Sequence, residues 1–229
     1  MEFLENGFTL ELCPGAFPLS TDSVALAHFV QCRPGDRVLD LGSGCGTLGL
    51  MLCSRCDTLQ VTGVEIDENA HLQALKNGER NNISQRFTSI CADITAIPGQ
   101  IVSGSFSVCI SNPPYFNGGP DSKKTPVARK ENGFSPEALF SVASQALKYG
   151  GDFYMVHRPE RLAEIFAKAS AQKLEPKKLL LLRHRQDGPV SLVLVHCKKG
   201  GKPGLLWQEE FLHNPDGSPS AYYNSLYHD

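Results

Sequence analysis

No stretch of this 229-residue chain is apolar over the length needed to cross a bilayer, which excludes a helical membrane protein. Met1-Glu2-Phe3-Leu4-Glu5 has neither a basic start nor a long apolar run, so no signal peptide is expected. An excess of positive charge is lacking too. The 22 Lys and Arg residues stand against 24 Asp and Glu, a net −2. That argues against a general nucleic-acid coat and leaves room only for a local basic face. The eight cysteines form no repeated framework. Cys45, Cys91, Cys109 and Cys197 sit in apolar segments, as small core residues of a reducing cytoplasm do. Cys53-x-x-Cys56 has no second pair and falls at a predicted helix end, so it reads as structural. None of the histidines has ligand spacing or an evident nucleophile partner, and no metal is expected. There is no internal repeat.

What is present is an ordinary globular composition, 41% apolar and 20% charged, long enough for one α/β domain. Strand-like runs alternate with helical patterns from residue 36 onward. Strands are predicted at Asp36–Leu41, Leu59–Glu65, Phe87–Cys91, Phe106–Ile110 and Asp152–Val156. Helices are predicted at Thr47–Cys56, Glu68–Arg80, Pro136–Leu147 and Arg158–Ala171. Lys178–Arg183 and Val190–Cys197 are strands joined by Arg185-Gln186-Asp187-Gly188-Pro189, too short for a crossover helix, so they form an antiparallel hairpin. The expectation is one α/β domain. Its sheet has seven strands, mostly parallel with an antiparallel last strand, and helices on both faces. Residues 1–35 precede the core, 36–197 build it, and 198–229 form a tail of turn residues and scattered aromatics. Phe116–Gly133 also lacks a core pattern, and loops of that length are commonly functional.

Two places carry chemistry. Val38-Leu39-Asp40-Leu41-Gly42-Ser43-Gly44-Cys45-Gly46 sets three glycines between a strand and a helix, where backbone can approach a ligand. The spacing is G-x-G-x-G, whereas a pyrophosphate loop prefers G-x-G-x-x-G, which leaves NAD as a competing ligand. Glu65 ends the next strand, where a carboxylate takes ribose hydroxyls. Asp93 follows the third strand in Cys91-Ala92-Asp93-Ile94. Together these residues resemble the class I S-adenosylmethionine-dependent methyltransferases, whose fold is Rossmann-like. By that resemblance Asp40, Gly42, Gly44 and Gly46 border the methionine part of the cofactor, Glu65 holds the ribose and Asp93 the adenine. Ile66 and Ile94, next in sequence, count with them as cofactor-binding, and S-adenosylhomocysteine is the product.

The second place is Ser111-Asn112-Pro113-Pro114-Tyr115, just past an apolar strand. The Asn112 amide oxygen and the Pro113 carbonyl could accept both hydrogens of a planar amino group, and Tyr115 could stack on the ring that carries it. The prolines fix the backbone and carry no N–H to compete. An exocyclic base amine needs such a site, and so does a glutamine amide. Asn112, Pro113, Pro114 and Tyr115 are therefore the candidate catalytic residues, with Asn112 also against the cofactor. The motif resembles that of methyltransferases acting on adenine N6, guanine N2 or release-factor glutamine.

Further residues point within that group. Phe17-Pro18-Leu19-Ser20-Thr21-Asp22-Ser23-Val24-Ala25-Leu26 resembles a segment of the bacterial tRNA(Val) adenine-N6 methyltransferase family. There it leads into a helix that closes over the methionine end of the cofactor, which implies Thr21 and Asp22 in that role. Taken alone, Ser20 or Thr21 reads equally as a helix N-cap. Ala128-Arg129-Lys130-Glu131 resembles the family's A-R-H-E segment, with Lys130 where His is usual. The tail Asp216-Gly217-Ser218-Pro219-Ser220-Ala221-Tyr222-Tyr223 resembles its closing segment, and stops without the usual aromatic extension. With about 35 residues before the first strand, neither the extra helical domain of the glutamine enzymes nor the duplicated domain of the guanine enzymes is expected, which favours adenine.

RNA needs positive charge and stacking rings near the site. Phe116, Lys123, Lys124, Arg129 and Lys130, in the loop leaving the transfer motif, are the first candidates. Phe134 is a second ring. Lys177, Lys178, Arg183, His184 and Arg185 form another set, and Lys198, Lys199 and Lys202 a third. The resemblance implies a cytoplasmic enzyme that methylates adenine N6 in tRNA, at position 37 of a valine tRNA. Alternatives are a protein glutamine or DNA adenine methyltransferase, or a non-catalytic RNA- or protein-binding module on the same fold.

Overall fold

The computed structural model describes residues 1–16, 18–114 and 135–227. A short ladder, β1 (Glu2–Phe3) with β2 (Thr9–Leu10), precedes helix α1 (Thr21–Phe29). Then strands and helices alternate: β3 (Arg37–Leu41), α2 (Thr47–Arg55), β4 (Gln60–Glu65), α3 (Glu68–Arg80), β5 (Phe87–Cys91) and β6 (Phe106–Ser111). After the undescribed stretch come α4 (Pro136–Ala146), β7 (Leu147–His157), α5 (Leu162–Ala171), β8 (Leu174–Arg185), β9 (Val190–Lys199), β10 (Leu206–His213) and α6 (Ala221–Tyr227). Among the described residues no helix is long and apolar enough to cross a membrane.

The sheet order is β10-β8-β9-β7-β6-β3-β4-β5. β9 is antiparallel to both its neighbours, β7 and β8, as the short connection between β8 and β9 requires, and the other pairs are parallel. The seven expected strands are all there. An eighth, β10, joins the edge from the tail, where no core pattern had been read. The reason is physical: β10 buries only Leu212 fully, while Leu206 and Trp207 are 75% and 65% exposed at the sheet edge. Such a strand shows little of the alternation that marks a half-buried one. α6 follows and anchors Leu226 in the core.

Alternation along the inner strands sorts the core into two layers. Val38, Val61, Val108, Ile110, Tyr154 and Val156 face the layer shared with α1, α2 and α3. Leu39, Leu41, Val64, Phe106, Cys109, Phe153 and Met155 face the layer of α4 and α5. Local signals start the helices. The Asp67 carboxylate accepts from Ala70 N at 2.9 Å at the head of α3. Ser135 Oγ accepts from Ala138 N at 3.1 Å ahead of α4, where Pro136 takes the first helical position.

β3 leads by way of α2 to β4 on one side, and its other neighbour is β6. The chain thus reverses its direction of travel across the sheet between β3 and β6. In open α/β sheets the crevice at such a switch point, beyond the carboxyl ends of the strands, is where ligands lie. The ends of β3, β4, β5 and β6 carry the residues singled out from the sequence.

Candidate functional site

The loop after β3 is built by its glycines. Gly42, Gly44 and Gly46 have φ of 75°, 54° and 85°, a left-handed backbone that residues with a Cβ adopt at a cost. At Gly46 the close approach is as strict as the angle. A Cβ there would lie 2.7 Å from Phe87 Cζ and 3.3 Å from Ala74 Cβ. At Gly44 it would meet nothing within 4 Å, so this face of the loop is open to a ligand. Gly42 N and Ser43 N both donate to Val64 O, at 2.9 and 3.0 Å. Glu65 closes the turn from the next strand, accepting from Gly44 N through Oε2 and from Asp67 N through Oε1, each at 2.8 Å. The carboxylate expected to hold a ribose therefore also holds the glycine loop in shape. Ile66, beside it, is 47% exposed.

Asp40 is the most unusual group here. It is 1% exposed, and neither carboxylate oxygen has a hydrogen-bond partner. Burial pushes its carboxyl up from 3.8 to about 7, with Glu65 adding repulsion, while the backbone amide of Gly49 favours the charged form. A buried carboxylate without a partner is what a cationic or N–H-bearing ligand would complete. Asp93 Oδ1 accepts from both Thr95 N and Thr95 Oγ1 at 2.7 Å, so it caps the short helix Ile94–Gly99 that follows β5. One oxygen of Asp93 is thereby committed to structure, and Ile94 behind it is buried in the core.

β6 delivers the transfer motif. Asp40 pairs with Ile110 across the β3–β6 ladder, and Ser111 Oγ donates to Leu41 O at 2.8 Å. Asn112 thus leaves the sheet alongside the glycine loop. Pro113 is buried and Pro114 exposed. Asn112 Nδ2 donates to Ser23 Oγ at 3.1 Å. Tyr115 and the loop set of Phe116, Lys123, Lys124, Arg129 and Lys130 lie outside the described residues, as do Phe17 and Phe134.

The first turn of α1 reaches this site. Ser20 occupies the N-cap position, but no side chain caps the helix. Thr21 Oγ1 lies 3.3 Å from the Tyr227 hydroxyl of α6. Asp22 is half-buried, and desolvation raises its carboxyl while Arg158 opposes that shift. Ser23, the next residue, is the one that sequence reasoning passed over. It lies in the quoted segment, but its partner is 89 positions away and no local pattern couples the two.

The two basic sets beyond the loop are largely spent on structure. Lys177 Nζ donates to the carbonyls of Lys202 and Gly204, at 3.0 and 2.7 Å. Lys198 Nζ pairs with Asp152 and donates to Gly150 O, and Lys199 Nζ donates to Leu147 O. Lys178 sits over the Phe29 ring. Arg183 pairs with Glu209, and Arg185 with Asp187 and Pro215 O. These cations hold the hairpin and the tail. Cys53 is buried, and the carbonyls of Cys53 and Cys56 accept from Arg86 at 3.0 and 3.1 Å.

A family model described as methyltransferase small domain matches residues 18–175. A protein of Bacteroides fragilis named tRNA1(Val) (adenine(37)-N6)-methyltransferase is 31% identical over 183 residues, 79% of this chain and 76% of that one. A protein of the same name from Shewanella halifaxensis is 32% identical over 181 residues, 78% and 73% of the two chains. Among solved structures, a predicted O-methyltransferase from Agrobacterium tumefaciens superposes with a TM-score of 0.75 at 23% identity, covering 90% of this chain and 95% of that one. At that identity the likeness speaks for the fold alone.

Proposed function

The chain belongs to the methyltransferase small domain family, and from that premise we propose that it methylates the exocyclic N6 of an adenine in tRNA, at position 37 of a valine tRNA. S-Adenosylmethionine is the donor the family implies. When bound, it supplies an electrophilic methyl on a sulfonium sulfur. The residues present suit it. Asp40 is a buried carboxylate in need of a partner, Gly44 leaves an open face, Glu65 ends β4 and Asp93 follows the neighbouring β5.

The observation that carries the reading is the place of Asn112, which leaves β6 beside the glycine loop. With Nδ2 on Ser23 Oγ, Oδ1 is left to accept from a substrate. With the Pro113 carbonyl it offers two acceptors to a planar amino group. Accepting both hydrogens draws the nitrogen lone pair out of conjugation with the ring and aims it at the methyl. S-Adenosylmethionine held there would supply the methyl and keep the electron pair of the broken bond on its sulfur, while the substrate nitrogen would shed one hydrogen as a proton to water. Positioning and electrostatics suffice, without a strong general base.

Relatives at about 30% identity named for adenine 37 favour tRNA over the other amine substrates. The test is transfer of labelled methyl to unmodified tRNA, to duplex DNA and to a glutamine-bearing protein substrate, with Asn112→Ala as control. Label in tRNA as N6-methyladenosine, lost in the variant, is expected. Label in DNA or protein alone would replace the proposed substrate.

A further inference from the structure

We infer that Arg158 is a substrate-binding residue that holds a phosphate of the RNA strand, on the opposite side of the transfer motif from the cofactor. This rests on the tRNA reading given above and assigns the group that would grip the polyanion.

A tRNA is a polyanion, and this chain carries a net charge of −2. The rim sharpens the mismatch. Asp40 lies near the end of β3, Glu65 ends β4, Asp93 follows β5, and Asp22 sits in the first turn of α1. An RNA strand drawn to this edge needs a cation to offset those acids. Lys177, Lys198 and Lys199 are tied to backbone carbonyls instead.

Three observations place Arg158 where such a cation is needed. The first is register. Ser111 of β6 pairs with Met155 of the parallel β7. Asn112 comes one residue after Ser111, and Arg158 three after Met155. With a rise of about 3.3 Å per residue and a strand spacing of about 4.8 Å, the two backbones lie roughly 8 Å apart. The second is Asp22. Burial raises its carboxyl, and the charge of Arg158 pulls it back. Asp22 adjoins Ser23, whose Oγ meets Asn112 Nδ2 at 3.1 Å, so the guanidinium stands close to the transfer motif by a second route. The third is its own setting. Arg158 Nη1 donates to Ser191 O at 3.4 Å, which rests the side chain against β9, and the residue is exposed. A guanidinium has five N–H donors in a planar fork, so one edge can lie on a carbonyl while another meets a phosphate. Arg161, just beyond, is bound to Glu164 at 2.7 Å.

Sheet order separates this cation from the cofactor. β7 flanks β6 on one side, and β3, β4 and β5 lie on the other with Asp40, the glycine loop and Glu65. An anion held by Arg158 therefore belongs to the substrate. A glutamine-bearing protein has no phosphate to place there.

The test is binding of a fluorescent valine tRNA transcript to the full chain, without cofactor and over a range of salt, for wild type, Arg158→Ala and Arg158→Lys. Arg158→Ala should weaken binding about tenfold, the worth of one charged hydrogen bond. The slope of log Kd against log salt should fall by about 1, because one phosphate fewer is neutralised. Arg158→Lys should keep the slope and recover part of the affinity, since the charge stays and the fork is lost. S-Adenosylmethionine affinity in calorimetry should match the wild type in both variants. An unchanged salt slope in Arg158→Ala would overturn the phosphate contact, whatever happens to Tm. So would a loss of S-adenosylmethionine affinity with tRNA affinity intact. A wild type that binds tRNA, with the lower slope in Arg158→Ala, yet transfers no methyl to it would overturn the adenine proposal and leave the contact standing. A wild type without affinity for tRNA would overturn both.

Discussion

Asp40→Asn should alter the pH dependence of folding more than any other single change in the site. Burial raises the Asp40 carboxyl from 3.8 to about 7, and neither oxygen has a hydrogen-bond partner. The sign follows from proton binding. Between those two values the folded chain keeps a proton that the unfolded chain has lost, so stability falls as pH rises through that window and levels off above about 7. The whole span costs about 4 kcal/mol, of which roughly 3 kcal/mol falls between pH 5 and pH 8. Asparagine does not titrate. It does bury an amide without partners, at about 1–3 kcal/mol, but that cost is the same at every pH. The informative quantity is therefore the difference between wild type and variant as pH changes. For a chain of this length, about 3 kcal/mol corresponds to roughly 6–12 °C in Tm. Thermal unfolding of both proteins, without cofactor, at pH 5 and pH 8 measures it. The wild type should lose that much more on going to pH 8. Parallel curves for the two proteins would refute a raised carboxyl at Asp40.

Three other substitutions separate structure from function. Gly46→Ala forces a Cβ into a backbone at φ 85° and to 2.7 Å from Phe87 Cζ, so it should cost about 2–4 kcal/mol in chemical denaturation; a loss under about 1 kcal/mol would mean the loop relaxes freely. Asp93→Ala should cost about 1 kcal/mol through the lost cap at Thr95 and should weaken S-adenosylmethionine in calorimetry. Asp93→Ser should restore stability without restoring affinity, and wild-type affinity in that variant would remove Asp93 from the cofactor site. Arg86→Met removes two bonds to the carbonyls that end α2 and should cost about 1–3 kcal/mol while leaving kcat unchanged; a fall in kcat would reveal a coupling from the far end of the sheet.

The inner sheet was readable because its strands are buried on both faces. Val38–Leu41 and Phe106–Ser111 are continuous runs, and the structure places them side by side. The hairpin was readable from the shortness of its connection. β7 begins at Leu147 rather than Asp152, because Leu147 pairs with Phe106 before the register shifts. The double glycine Gly150-Gly151 hid that extension from any propensity argument. β10 was illegible because it lies at an edge. The residues of the rim could be picked out by their order, three glycines and then an acid after each of the next two strands, although either acid alone reads equally as a helix cap. What those residues touch was not. That Glu65 braces Gly44, that Asp93 caps Thr95 and that Ser23 meets Asn112 are facts of tertiary packing between distant segments. The basic sets show the converse. Their charge was visible in sequence, but their partners, mostly backbone carbonyls and acids of the hairpin and tail, were not.

The most direct measurement is nucleoside analysis of a valine tRNA transcript after reaction with S-adenosylmethionine, beside a transcript carrying guanine in place of adenine 37. Asn112→Ala is the control. Removing a positioned acceptor from the amine should raise the barrier by about 2–4 kcal/mol and leave cofactor binding intact. The account predicts N6-methyladenosine in the first transcript, none in the second, and almost none with the variant. Equal methylation of both transcripts would contradict the position. Undiminished methylation by Asn112→Ala would contradict the amine clamp itself.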